Sequence, residues 1–399
     1  VPEVKVGLGA IALGAWQFEQ CLHRVEEALR INPNYAPAHV LKAVCLMQWR
    51  KFDQVAGALD RVLEVNPNHV EALSLLAALH VRLGSDEAAE PFLARVREIH
   101  PRCPLPSYAI AEWLSAGRQF DEAEKHYLHA IELAPHLAEP HAGLGRLYAQ
   151  TGEEDRAKEA FEKAHQLDDF RADVVNYLRL LTNMEGYEVR QTEHFVVKVD
   201  GRYDKILLDQ VADYMESIYE EVCGDYEHRP PARTLVEIFP TPESFSVRIS
   251  GRGWVGTIGA CTGRVIALAA PDPRRSVFGH HNWAVVLRHE FAHAVTLSAT
   301  NNRIPHWFTE ACAVWQQPDK HNYNNVRLLV NATKAGRLFP IKELDWGFIR
   351  PKQQADRTLA YAQAQWVLEF LIETHGYAVV PRMLRAFRDG MSQQEVFAK

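Results

Sequence analysis

The chain has 399 residues, 47% of them hydrophobic and 24% charged, enough to bury large cores in at least two domains. A formal net charge of −7 gives no reason to expect nucleic acid or an anionic membrane surface as a partner. Its six cysteines, Cys21, Cys45, Cys103, Cys223, Cys261 and Cys312, make no CxxC pair and no dense framework, so they read as scattered small hydrophobes and favour the cytoplasm.

The chain opens on Val1 inside a helical pattern and reads as a piece of something longer. The uncharged run from Val6 to Trp16 is too short to span a bilayer and fits a buried helix, so this fragment carries no signal or transmembrane segment. Asn32-Pro33, Asn66-Pro67, His100-Pro101 and Ala134-Pro135 then recur every 34 residues, and Asp168-Asp169 keeps the step without its proline. Within each unit a small or branched residue and a bulky one return in phase: Cys21 and Val25, Val55 and Leu59, Ala89 and Leu93, Ala123 and Tyr127, Ala157 and Phe161. Gly84 and Gly152 share the turn between the two helices of a unit, and Leu144, Gly145 and Tyr148 fit the first-helix signature.

These residues and this period resemble tetratricopeptide repeats over about residues 2–169, in about five units, with a helix from Arg171 to Asn183 capping the solenoid through a polar outer end. The resemblance implies a concave face that takes a peptide or protein partner. The groove positions Val40, Val44, Ser74, Ala78, Tyr108, Glu112, Ala142 and Arg146 lack the lysine and asparagine of chaperone-tail binders. A rigid spacer without its own ligand stays open as the alternative.

The helical period stops near Glu185, which divides a repeat domain, 1–184, from a second domain, 185–399. His194 to Val199 alternates as a strand, Asp204 to Val222 is an amphipathic helix, and Thr234 to Phe239 is another strand. The glycine-rich stretch Gly251 to Ala270 suggests a hairpin or a bulged edge where another backbone comes close.

Next comes His289-Glu290-Phe291-Ala292-His293. On a helix the two histidines project from one face and can hold one zinc ion, with Glu290 beside the water that the metal acidifies. An exposed helix with two histidines is the plainer alternative. A catalytic zinc needs a third protein ligand and an open position, and Glu310 meets that need as the lone carboxylate in the apolar run Pro305 to Ala311.

HEFAH followed by PHWFTEA is similar to the Glu-zincins, and most of all to the peptidase-MA-like domain found behind tetratricopeptide repeats. The resemblance implies a multidomain chain: an all-α repeat superhelix, then an α+β zincin-like metallopeptidase domain with a small mixed sheet and one Zn2+ per chain. It implies metal ligands His289, His293 and Glu310, with Glu290 as general base acting on a peptide or protein substrate. Gly259-Ala260 resembles the start of the edge strand that pairs with substrate in aminopeptidase-N relatives. Thr262 stands where their amine-binding glutamate would be, which favours cleavage within peptides. Tyr361 falls on the position of their oxyanion-donating tyrosine, and His306 and His375 are weaker candidates. Ala311 and Val314 depart from the pattern: the first replaces a packing glycine, the second an aspartate that orients a histidine ligand. The competing reading is a catalytically inactive peptidase-like domain on an interaction scaffold.

Overall fold

The computed structural model describes residues 1–202, 205–253, 256–272, 281–318, 323–349, 351 and 354–398. Asp204, at the expected start of the amphipathic helix, and Trp254 and Val255 of the glycine-rich stretch lie outside the described residues. The chain divides into two compact units, Val1–Leu147 and Tyr148–Lys399.

The first unit is helical throughout: α1 (Pro2–Gly14), α2 (Phe18–Ile31), α3 (Ala36–Gln48), α4 (Val55–Val65), α5 (Val70–Arg82), α6 (Asp86–Ile99), α7 (Leu105–Ala116), α8 (Phe120–Leu133) and most of α9 (Ala138–Thr151). Cys21, Val25, Val55, Leu59, Ala89, Ala123 and Tyr127 are buried, and small side chains among them let paired helices approach; Leu93 is only half-buried. The loop chemistry explains why the period survives the loss of a proline. Asn32, Asn66 and Asp168 each accept a hydrogen bond from the backbone N–H two residues on, at 3.0, 3.0 and 3.1 Å. The turn inside each repeat is left-handed at Trp16, Arg50, Gly84, Arg118 and Gly152, with φ of 61°, 54°, 76°, 60° and 85°. Only two of the five are glycine, so the sequence shows the position in just two repeats.

The second unit begins with α10 (Glu154–Leu167) and α11 (Ala172–Met184). Instead of presenting the polar end expected of a cap, α11 buries Val174, Tyr177, Leu180, Leu181 and Met184 and packs between α10 and α13 (Pro242–Ser250), with Asn176 donating to the Gly251 carbonyl at 3.0 Å. Five strands follow: β1 (Glu188–Gln191), β2 (Phe195–Val199), β3 (Thr234–Phe239), β4 (Gly259–Cys261) and β5 (Val265–Ala269). Their order is β1-β2-β3-β5-β4, parallel through β2, β3 and β5 and antiparallel at both edges.

Alternation splits the sheet into two faces. Val197, Val199, Val236, Ile238, Ile266 and Leu268 face the main core with α12 (Lys205–Asp225) and α14 (Trp283–Ala299). The opposite face turns Glu237 to Arg248 of α13, whose guanidinium lies 2.7 Å from it; both side chains are at most 1% exposed. The remaining helices are α15 (His306–Trp315), α16 (Tyr323–Lys334), α17 (Leu344–Ile349), α18 (Gln354–His375), α19 (Val379–Arg388) and α20 (Gln393–Ala398). No helix among the described residues is long and apolar enough to cross a membrane.

Candidate metal centre

Two helices set the site. The Asn282 side chain starts α14 by accepting from the Ala284 N–H at 3.1 Å, and the helix ends where Asn301 and Asn302 take left-handed φ of 49° and 60°. The reversal brings α15 back along α14. Asp345 accepts from the Trp307 N–H at 2.7 Å, Trp307 is fully buried, and its indole donates to Gln393 at 2.8 Å. One turn after that anchor, Glu310 faces α14. Ala311, in the glycine position, is fully buried, so a methyl group fits the helix contact.

Ligand atoms of His289, His293 and Glu310 all lie within 4.8 Å of one another. The two Nε2 atoms are 3.2 Å apart, and Glu310 Oε2 is 3.4 Å from one and 3.5 Å from the other. All three residues are buried, and Glu310 Oε2 has no hydrogen-bond partner among the described residues. A buried carboxylate oxygen left in that state is costly, and a cation at the centre removes the cost. Two imidazole nitrogens and one carboxylate suit zinc, with a coordination position left open.

The outer ring nitrogens are already engaged. His293 Nδ1 lies 2.8 Å from Thr309 Oγ1, Thr309 Oγ1 lies 2.8 Å from Thr296 Oγ1, and Thr296 donates to the Ala292 carbonyl at 2.8 Å. Because Thr296 gives its proton to a carbonyl, the chain runs one way: Thr309 donates to Thr296 and accepts from His293 Nδ1–H. That fixes the tautomer and leaves the Nε2 lone pair facing the centre. The Gln317 amide nitrogen, Nε2, lies 2.9 Å from His289 Nδ1 and donates to it as placed; turning the amide over would put its oxygen there to accept a ring proton instead. Val314, where the related pattern has an aspartate, makes neither of these contacts; Thr309 and Gln317 do. Sequence reasoning missed Thr296, Thr309 and Gln317; the only signal was Thr309 directly ahead of Glu310.

Charge in the cluster is self-consistent. Burial pushes the Glu310 carboxyl up, but His293, His289 and His306 outweigh it and hold it well below the usual range. Burial disfavours protonated His289, yet Glu310 and Glu290 win and raise it. His306 Nε2 stands 3.3 Å from Glu310 Oε1, with its ring edge against Phe348. Tyr361 of α18 also meets Phe348, 4.8 Å between ring centres, close enough to Glu310 and Glu290 for their charges to act on its hydroxyl. Burial, reinforced by Glu310 and Glu290, pushes that phenol far up, so it stays protonated and can donate. His375, exposed at the far end of α18, is not brought to the site.

Glu290 is buried beside edge strand β4. A Cβ built on Gly259 would sit 2.8 Å from Glu290 Oε1 and 2.7 Å from Val286 Cγ1, so only glycine lets the strand pass this close. Ala269 N–H donates to the Ile258 carbonyl and Thr262 N–H to that of Val265; by alternation Ala260 faces β5, while Gly259 and Cys261 turn their backbone groups to the open edge. The Thr262 hydroxyl donates to the Gln150 carbonyl at 2.6 Å.

Comparisons with known proteins place the two kinds of domain along the chain. The Peptidase MA superfamily profile matches residues 250–399, and tetratricopeptide repeat profiles match 50–112 and 138–169. Among solved structures, a thermophilic TPR protein of Thermus thermophilus aligns over 45% of this chain and 98% of its own at 18% identity and a TM-score of 0.36. The type IV pilus biogenesis factor PilW aligns over 44% and 82%, at 17% identity and 0.30. YrrB, a TPR protein with an unusual peptide-binding site, aligns over 44% and 90%, at 16% identity and 0.26. The comparison with curated proteins gives no match. The chain carries tetratricopeptide repeats, an interaction scaffold, and a protease-like domain of the peptidase MA superfamily in its C-terminal region.

Proposed function

We propose that the second half of the chain is a zinc metallopeptidase that cleaves within peptides, with residues 185–399 as the peptidase domain and 1–184 as a repeat domain that holds a partner or substrate on its concave face. The observation that carries the reading is the meeting of His289 Nε2, His293 Nε2 and Glu310 Oε2 around one point, with an unpartnered carboxylate oxygen among them. Zinc held there supplies a Lewis acid that polarises a carbonyl and acidifies water.

The residues around that point divide the remaining work. The Glu290 carboxylate takes a proton from the attacking water and passes it to the leaving nitrogen. Tyr361, kept protonated, donates to the oxyanion that develops on the peptide carbonyl. The outward backbone groups of Cys261 and the Gly259 N–H can pair with an extended peptide as an added strand, and the Gly259 carbonyl can do so in exchange for the Thr257 hydroxyl that donates to it at 3.0 Å. Thr262, engaged with Gln150, offers no carboxylate to hold a free amine, which supports internal cleavage.

The test is Glu290→Gln assayed on N-acetylated peptides. Hydrolysis falls by about 100-fold or more while zinc content is unchanged, the scale of a lost general base. Unchanged turnover would remove Glu290 from the chemistry. A wild-type protein that holds zinc and cleaves nothing would favour the inactive scaffold.

A further inference from the structure

Along α18, Tyr361, Gln365 and Glu369 stand one turn apart on the same side of the helix. Tyr361 stands close to Glu310; Gln365 and Glu369, joined by a 3.0 Å hydrogen bond, line a cavity of about 460 Å³ between α16 and α18. Its walls are Val326, Leu329 and Val330 from α16 and Ala362 and Trp366 from α18. Val326, Val330 and Trp366 are 47%, 44% and 47% exposed, a concentration of open apolar surface that a helix pair closed for stability alone would cover. The helix α16 has a strong apolar side, yet among its residues only Ala332 is buried.

We infer that this cavity is a side-chain subsite for an aromatic or branched apolar residue of a peptide substrate, placed close to the bond that is cut. The inference rests on the peptidase reading and names the substrate class of that site. Three observations select this occupant. The cavity begins on α18 at Ala362, the residue after Tyr361: a rise of 1.5 Å per residue puts Ala362 to Glu369 about 2 to 12 Å along the helix axis from it. An extended peptide advances about 3.3 Å per residue, so a residue one to three places from the cut falls over the cavity. Five apolar side chains line it among the polar Asn325, Thr333 and Gln365, and the two charges, Lys334 on α16 and Glu369 on α18, are opposite in sign, so the cavity selects no charged side chain. Its volume lies within the ordinary range of ligand sites.

The experiment uses a randomised pool of N-acetylated, C-amidated decapeptides, with products sequenced. The expected result is enrichment of Phe, Tyr, Trp, Leu or Ile at one position within three residues of the cut. Discrimination between Phe and Ala there is about 10- to 200-fold, the span of an apolar pocket. Trp366→Ala flattens that preference with zinc retained, and Val330→Phe, which fills the cavity, shifts it toward Ala. A preference that neither substitution moves, or no apolar preference at all, overturns the inference. Equilibrium binding of matched Phe and Ala decapeptides to Glu290→Gln separates the two levels of the claim. Tighter binding of the Phe peptide, lost with Trp366→Ala, upholds the subsite even where no turnover occurs and the peptidase reading has fallen. Equal binding of the two peptides ends it.

Discussion

Glu237 on β3 and Glu310 on α15 are buried carboxylates of the same unit, and both face nitrogen atoms. Glu237 meets one guanidinium at two points, Arg248 Nε at 2.7 Å and Nη2 at 3.2 Å, with neither side chain more than 1% exposed. Glu310 meets three imidazoles at 3.3 to 3.5 Å, and its Oε2 bonds to none of them. The pair behind the sheet sets one carboxylate against one guanidinium at ion-pair distance, although Glu237 Oε2, Arg248 Nε and Nη1 are themselves buried without a well-aligned hydrogen bond. The centre in front is built from the same kind of groups held slightly too far apart, with the outer nitrogens tethered and the inner ones left facing each other. On the metallopeptidase reading, the first pair specifies packing and the second specifies a ligand.

Four substitutions test that contrast, the first having the largest effect. His293→Ala should take zinc from one per chain to near none, because two protein ligands do not hold a catalytic zinc site. Elemental analysis of the folded variant decides it, and full occupancy would show that the histidines are merely neighbours. Arg248→Ala should act on folding instead, destabilising by about 3–5 kcal/mol as Glu237 is left buried and alone. Urea unfolding measures this, and the apolar pair Glu237→Leu with Arg248→Met should recover most of the loss. Zinc loss from the folded Arg248→Ala variant would erase the distinction between the two carboxylates. Tyr361→Phe should lower kcat by about 100- to 1,000-fold with little change in KM. If the hydroxyl only packs, the variant keeps its rate and loses about 1 kcal/mol of stability. Smallest is Thr309→Val, which frees the outer nitrogen of His293 and should weaken zinc binding by about 10- to 100-fold, with Thr309→Ser restoring it. Equal affinity for all three forms would mean that the threonine pair does not orient the ring.

Local pattern made parts of this legible. Histidines four apart, a lone acid in an apolar helix and a 34-residue period are features of adjacent or regularly spaced residues, and alternation in Phe195–Val199 and Thr234–Phe239 marks two strands directly. The short edge strand β1 gave no such signal, because four residues with an intermediate–exposed alternation look like loop. Glu237 and Arg248 read as ordinary surface charges until a strand and a helix are stacked to face each other. Thr296 and Gln317 carry no sequence signal, and Thr309 only its place before Glu310, for the same reason: a hydroxyl or amide becomes an orienting group only when packing points it at a ring nitrogen. The expected polar cap failed because α11 carries apolar residues that α13 covers, and no periodicity announces what a helix will meet.

Gly259 has one consequence at the level of the gene. Every single-base change that converts a glycine codon to another amino acid adds a Cβ, and here the nearest atoms to that carbon are Glu290 Oε1 at 2.8 Å and Val286 Cγ1 at 2.7 Å. Natural variation at this codon has no mild option, since even alanine must displace the carboxylate or spread the strand from the helix. Holding Glu290 Oε1 where it lies therefore also means holding this glycine.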